Sequence, residues 1–308
     1  MKELFYFLIF PGFLFTAFAG LAASWVDRKV TARVQWRVGP PWYQPLVDIV
    51  KLMGKETIVP STANRVTFLM APLAGLLSII LVSTLVLVMD MDRMAGFIGD
   101  IIVILYLLAV PSICVIVGGF ASGNPIASVG ASREMKLVLS YELPFVMAVL
   151  VPVIKSGGMI RIGDLLQFQA QNGIFIGSLS GFIAFLVVII AVQAKLALVP
   201  FDMPEAETEL IGGPMIEYSG VPLAAFKLMR SCMLFAVPMF IVVTFMGGIG
   251  RDPASLINGV LKYVLLLVIV ILIKNTNPRV RIDQAVKFFW GPVTVSAVIA
   301  VVLAVVGL

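Results

Sequence analysis

An all-α polytopic membrane protein, with about eight transmembrane helices and an amphipathic helix on the surface, is the fold class this chain predicts, on three observations. Hydrophobic residues make up 60% of the 308 and charged residues only 13%, and the mean hydropathy is +1.07, outside the range of ordinary soluble domains. Eight apolar runs are long enough to cross a hydrocarbon core about 30 Å thick. Lysine and arginine gather between alternate runs, as membrane topology demands.

In order, the runs cover about 4–26, 66–89, 101–120, 135–154, 174–199, 222–246, 256–273 and 288–308. The first resembles a signal anchor, but no small-residue cleavage site follows it, so it reads as retained. Segments 27–65, 121–136, 200–218 and 274–287 hold thirteen Lys and Arg; the N-terminus, 90–100, 155–173 and 247–255 hold five. The richer set is placed in the cytoplasm and both termini on the outer side. This topology also accounts for the net charge of +5 without any nucleic-acid partner. No internal repeat, low-complexity segment or linker interrupts the pattern, so 1–308 reads as a single integral membrane domain.

Segment 27–65 is too patterned for a tether. From Pro45 to Ile58 a helical projection puts Leu46, Ile49, Val50, Met53 and Ile58 on one face, away from Asp48, Lys51, Lys55 and Glu56, while Pro41, Pro45 and Pro60 bracket the stretch. That helix is expected to lie flat on the membrane. A weaker amphipathic piece, Ile162 to Phe168, follows Gly157-Gly158.

Charges inside the runs come next, because an ionisable group near a bilayer centre costs about 2.5–3.5 kcal/mol on insertion scales and faces protein or water. Glu142, Lys195, Lys227, Arg230 and Lys262 stand there. Lys227 and Arg230 share a helix face, and a buried cation at either needs a carboxylate such as Glu142 or one from the next loop. Lys262 sits near a run end and is expected to snorkel.

That loop is the densest feature of the chain. Five of seventeen carboxylates, Asp202, Glu205, Glu207, Glu209 and Glu217, fall within residues 200–220, with no Lys, Arg or His among them. Like charges this close cannot all ionise in a low dielectric, so the cluster can hold and pass protons. A calcium or magnesium site and an acidic face for a basic partner are competing uses. Histidine is absent and the two cysteines, Cys114 and Cys232, stand singly in apolar runs, which excludes a haem, zinc or iron–sulfur ligand set. No metal site is therefore assigned and no catalytic residue; any electron carrier belongs to a partner.

Pro200-Phe201-Asp202-x-Pro204-Glu205-Ala206-Glu207-x-Glu209-Leu210, followed by Glu217-Tyr218-Ser219-Gly220, resembles the signature of the complex I membrane subunit that joins the hydrophilic arm to the ion-pumping membrane arm. Two further stretches resemble its first two cytoplasmic loops. One runs from Asp27-Arg28-Lys29 through Arg33, Gln35, Arg37, Gly39-Pro40 and Gln44-Pro45 to Asp48, Lys51-Leu52 and Lys55-Glu56. The other joins Ala121-Ser122, Gly130-Ala131 and Arg133 to Ser140-Tyr141-Glu142. Order and spacing agree from about residue 20 to 230.

Departures narrow the resemblance. Complex I members usually carry Glu at Asp27, glutamates at Lys195 and Arg230, an arginine at Leu198, an aromatic at Pro214 and a longer glycine-rich loop after Gly39. The short Gly39-Pro40-Pro41 loop and Glu207-Thr208-Glu209-Leu210-Ile211-Gly212-Gly213-Pro214 look like the corresponding subunit of energy-converting membrane-bound hydrogenases and their sulfur-reducing relatives. The resemblance implies a non-catalytic anchor and coupling subunit of a ferredoxin-linked, ion-translocating respiratory complex. Iron–sulfur clusters and a NiFe or related site would reside in hydrogenase-like partners, beside antiporter-like membrane subunits and lipid. It implies a proton path through Glu142, Asp202, Glu205, Glu207, Glu209 and Glu217, countercharges Lys195, Lys227 and Arg230, and a docking rim of Arg28, Arg33, Arg37, Asp48, Lys51 and Arg133. A quinone-binding complex I subunit is the alternative, and a stand-alone cation antiporter a lesser one.

Overall fold

The computed structural model describes residues 6–250 and 252–308. Its helices are α1 Phe13–Val34, α2 Gln44–Met53, α3 Arg65–Met91, α4 Asp100–Ala121, α5 Pro125–Lys155, α6 Ile162–Asn172, α7 Leu179–Lys195, α8 Gly220–Phe245, α9 Pro253–Thr276 and α10 Ile282–Val306. Seven of these are long and apolar enough to span a membrane. The expected run 174–199 differs: a tight turn at Phe175–Gly177 and a break after Lys195 leave α7 with 17 residues, at the short limit of spanning length.

Expected loop boundaries also move, for a common reason. Asn124 accepts a hydrogen bond from the Ile126 amide and Pro125 occupies the first turn, so α5 starts at once and runs 31 residues, about 46 Å. It overhangs the hydrocarbon core, and the charged residues of 121–136 ride on helix rather than loop. Likewise α1 continues to Val34, carrying Asp27, Arg28 and Arg33 on its last turns.

The surface helix α2 is shorter than expected and ends before Ile58. It turns Ile49 and Leu52 inward against Ala224 of α8 and leaves Leu46, Val50 and Met53 exposed, so both its faces are apolar. Helix α6 is not a surface strip either. Leu165 and Leu166 are buried, and Gln169 donates to the carbonyls of Val243 and Thr244 at 3.1 and 3.3 Å, capping the end of α8.

Helix α8 is the hub. Buried along nearly its whole length, it packs on α1, α2 and α3, while α5, α7 and α10 form a second group joined to the first through α4. Gly20 lets α1 approach closely, since a Cβ there would stand 2.6 Å from the Ser231 carbonyl oxygen, the small-residue packing favoured between membrane helices. At the end opposite the acidic loop, buried Asp100 accepts from the Ile162 amide at 2.9 Å and Asp90 from Ile249 at 3.0 Å. The Leu308 carbonyl lies there too, 3.0 Å from Lys155 Nζ.

Gly20→Leu is expected to force α1 from α8 and cost about 1–3 kcal/mol, read as a lower Tm of the detergent-purified assembled protein. Gly177→Ala, whose Cβ meets open space, should leave the Tm unchanged.

Candidate functional site

The acidic loop folds into three short turns, Met203–Glu205, Glu207–Leu210 and Gly213–Met215, and packs down on α3, α4 and α5. Tyr218 anchors it. Its ring stacks on Phe68 with centroids 4.0 Å apart and its hydroxyl donates to the Phe68 carbonyl at 3.1 Å. Pro214 lies against Gly130 of α5, where a Cβ would meet its nitrogen at 2.9 Å. Gly213 adopts φ +60° to reverse the chain, a conformation that side chains resist. Ser219 ties in the segment that follows α2, accepting from the Ile58 amide at 3.0 Å and donating to the Glu56 carbonyl at 3.3 Å.

The structure spreads the loop's carboxylates among separate partners instead of pooling them. Asp202 pairs with Arg279 at 2.7 Å, Glu205 with Arg230 of α8, and Glu209 with Arg133 of α5 at 2.5 Å. Glu217 accepts from the Asn124 side chain at 2.5 Å. Glu207 falls in the second turn, and its side chain lies outside the described residues. Among the described residues no three His, Cys, Asp or Glu side chains gather as a metal site. Arg133, expected at the docking rim, is held by Glu209 and the Met203 carbonyl. Of the two carboxylate sources expected for Arg230, the loop supplies its counterion, and Glu142 finds its own elsewhere.

Glu142 pairs with Lys195 at 2.9 Å. The Lys195 side chain is fully enclosed while that of Glu142 stays 26% exposed, so the carboxylate reaches the lateral surface of the bundle. The ammonium is further held by the Leu108 carbonyl at 3.4 Å and lies over the rings of Tyr141 and Phe145, 5.2 and 4.8 Å from their centroids. Such contacts stabilise a desolvated cation. Near this pair, the π-helical turn Phe289–Val293 of α10 sets Phe289 against Phe201 and Tyr141.

At the end of the bundle that carries the acidic loop a cleft opens between α1, α2 and α8, lined by Asp27, Arg28, Asp48, Lys227, Arg230 and Ser231 with apolar Leu21, Ile49 and Leu234. Arg28 pairs with Asp48 at 2.7 Å across its mouth. Partial burial tends to raise the Asp48 carboxyl, but the Arg28 guanidinium and the Gln44 amide outweigh it and hold the group below its ordinary value. Lys227 is exposed into this cleft, and Arg33, Arg37 and Lys51 are exposed on the same side.

Sequence reasoning missed Glu134, 4% exposed in α5, because its charged neighbours Arg133 and Lys136 suggested a loop. The Asn124-Pro125 start signal was the clue that placed it in a helix. Also missed was Lys274, whose ammonium holds buried Asp27 at 2.8 Å.

The family model described as NADH dehydrogenase matches residues 6–305. A subunit of the NADH-quinone oxidoreductase of Thermomicrobium roseum is 35% identical over 306 residues, 90% of this chain and 88% of that one. Subunit 8 of the Thermus thermophilus enzyme is 34% identical over 293 residues, covering 90% and 79%. Among solved structures, a chain of the membrane-bound sulfane sulfur reductase, an archaeal respiratory membrane complex, superposes with TM-score 0.86 at 29% identity, covering 94% of this chain and 96% of that one.

The Arg133 hydrogen bond and charge hold the Glu209 carboxyl below its ordinary value of 4.5. A depressed folded-state value means the contact contributes fully above 4.5 and is lost as pH falls through the lower folded-state value. Hydrogen exchange at residues 203–215 should therefore accelerate in that acid window, and Glu209→Gln should abolish the step.

Proposed function

The chain belongs to the NADH dehydrogenase family of complex I membrane subunits, and from that membership we propose that it anchors and couples a ferredoxin-linked, ion-translocating complex of the hydrogenase or sulfur-reductase type. It is an integral membrane protein of a complex I-like oxidoreductase complex. Chemistry at iron–sulfur clusters and a NiFe or related site in partner subunits is linked through this chain to proton or sodium movement in antiporter-like partners. The Lys and Arg asymmetry of the connecting segments supports an outer side for both termini.

One observation carries the coupling role: a fully enclosed Lys195 ammonium is balanced by Glu142, a carboxylate that reaches the lateral surface. An ion pair in that position responds to charge on either side, and the acidic loop supplies charge on one of them through Arg230–Glu205. Glu142, Asp202, Glu205, Glu207, Glu209 and Glu217 form the path, with Lys195 and Arg230 as its countercharges. The rim of Arg28, Arg33, Arg37, Asp48 and Lys51 receives the metal-bearing arm.

Support for this type over a quinone reductase comes from the cleft lining. Asp27, Arg28, Asp48, Lys227 and Arg230 surround the space, and five charged side chains solvate an apolar quinone tail poorly. Electron transfer by the purified complex is expected to be indifferent to quinone-site inhibitors; stoichiometric quinone reduced at a catalytic rate would instead establish a quinone reductase.

Neutralising Glu142 alone strands a buried ammonium, a loss of about 3–5 kcal/mol, so its structural and ion-path roles must be separated. Glu142→Gln with Lys195→Met removes both charges. The double variant should assemble at wild-type levels in the membrane yet fail to transport ions in inverted vesicles. Transport at the wild-type rate by that variant would reduce Glu142 to a structural partner.

A second expectation concerns docking. Reversing Arg33 and Arg37 to Glu should release the metal-bearing subunits while this chain stays in the membrane, and co-purification of the intact complex from the double variant would count against the rim.

A further inference from the structure

Glu134 takes no part in the ion pairs that hold the acidic loop, and yet it is among the best-buried ionisable side chains of the molecule. It lines a small pocket with Ser112, Lys195, Met229 and Arg230, a space with room for about one water. Ser112 shares this pocket with Glu134, and its hydroxyl lies 3.2 Å from the Tyr141 hydroxyl. Around the carboxyl, α8 contributes the Arg230 guanidinium and α7 the Lys195 ammonium. Helix α4 offers only the neutral Ser112, and α5 itself adds Tyr141, with Glu142 behind Lys195.

A second observation is independent of these contacts. Arg230 lines both this pocket and the larger cleft between α1, α2 and α8, so the two spaces meet at one side chain. On the loop side that guanidinium is held by Glu205.

Charge balance then limits what the site can do. Two cations, Lys195 and Arg230, are already matched by Glu142 and Glu205. The third carboxylate, Glu134, has no cation of its own. It either carries a proton or draws a cation from one of the existing pairs.

We propose that Glu134 is the internal acid joining the two ion pairs, exchanging its proton with cleft water past Arg230 and controlling by its charge whether Lys195 stays with Glu142. This deepens the coupling role assigned above and rests on it. In the forward step the Glu134 O–H bond breaks and the proton passes to water in the cleft. Lys195 keeps all its protons and moves its hydrogen bond from Glu142 to the Glu134 carboxylate. Glu142, left without a cation, takes one proton from the lateral face. One proton has left, one has entered, and the cluster's charge is unchanged.

The test uses the intact complex in inverted membrane vesicles, with ion transport measured against pH and the carboxylic-acid carbonyl band followed by infrared difference spectroscopy. Glu134→Gln mimics the protonated acid and locks Lys195 on Glu142. It should assemble normally, lose about tenfold in transport and lose a titrating carboxyl band. Glu134→Asp should restore part of the transport with a displaced pH profile. Wild-type transport and an unchanged band in Glu134→Gln would overturn the proposal. So would a Glu134→Gln that fails to assemble beside a Glu134→Asp with the wild-type pH profile. If Glu134→Gln transports normally while the Glu142 variants do not, the relay falls and the ion path stands; if neither site matters, both fall.

Discussion

A fully enclosed ammonium in a membrane protein is the constraint on which the rest of this structure depends. Desolvating Lys195 costs several kcal/mol even after relaxation, and nothing in the hydrocarbon can repay it. The protein answers with Glu142 at 2.9 Å, a backbone carbonyl and two aromatic faces. That solution fixes the register of α7 against α5. It also requires α7 to stop where it does, because a helix continuing past Lys195 would carry the loop away from α5 and α8.

Once α7 ends there, the acidic loop must cross the ends of α4, α5 and α8, and its carboxylates meet cations presented by α5, α8 and the connection between α9 and α10. Arg133, Arg230 and Arg279 each take one. The loop is therefore held by electrostatics at three corners and by packing at a fourth, Tyr218 on Phe68. Surface pairs of this kind contribute little singly. Their value here is positional: they keep the loop's charge close to Arg230, and Arg230 close to the interior.

The fold was legible because hydropathy is a local property. A window of sequence contains what is needed to find a span, and each expected run overlaps one observed helix, with the ends most displaced at α1 and α7. Partner choice is not local. That Arg133 pairs with Glu209 depends on two positions distant in the chain, and that Asp27 is matched by Lys274 depends on α1 meeting α9. Composition misled at Glu134, since three charged residues among four, Arg133 to Lys136, suggest solvent, whereas on a helix that overhangs the membrane one of them faces the core. The countercharge role of Lys195 and Arg230 was legible because cations in apolar runs must be matched. Which carboxylate matches each was not.

The departures from complex I gain a physical meaning from these pairs. Where the family usually carries glutamates, this chain has Lys195 and Arg230, and each is matched by a carboxylate that the family signature retains, Glu142 or Glu205. Where the resemblance leads one to expect a row of acids, this chain has acid–base pairs. Acids in a row share protons among themselves and need few partners to do so. Pairs resist protonation, because removing a carboxylate's charge strands its cation, so charge can move along them only where a further acid lets a cation change partners. Helix α5 carries such an acid eight residues before Glu142, facing the same cavity as both cations. With cations at 195 and 230, the relay we propose needs one carboxyl more than it has cations, and Glu134 supplies it.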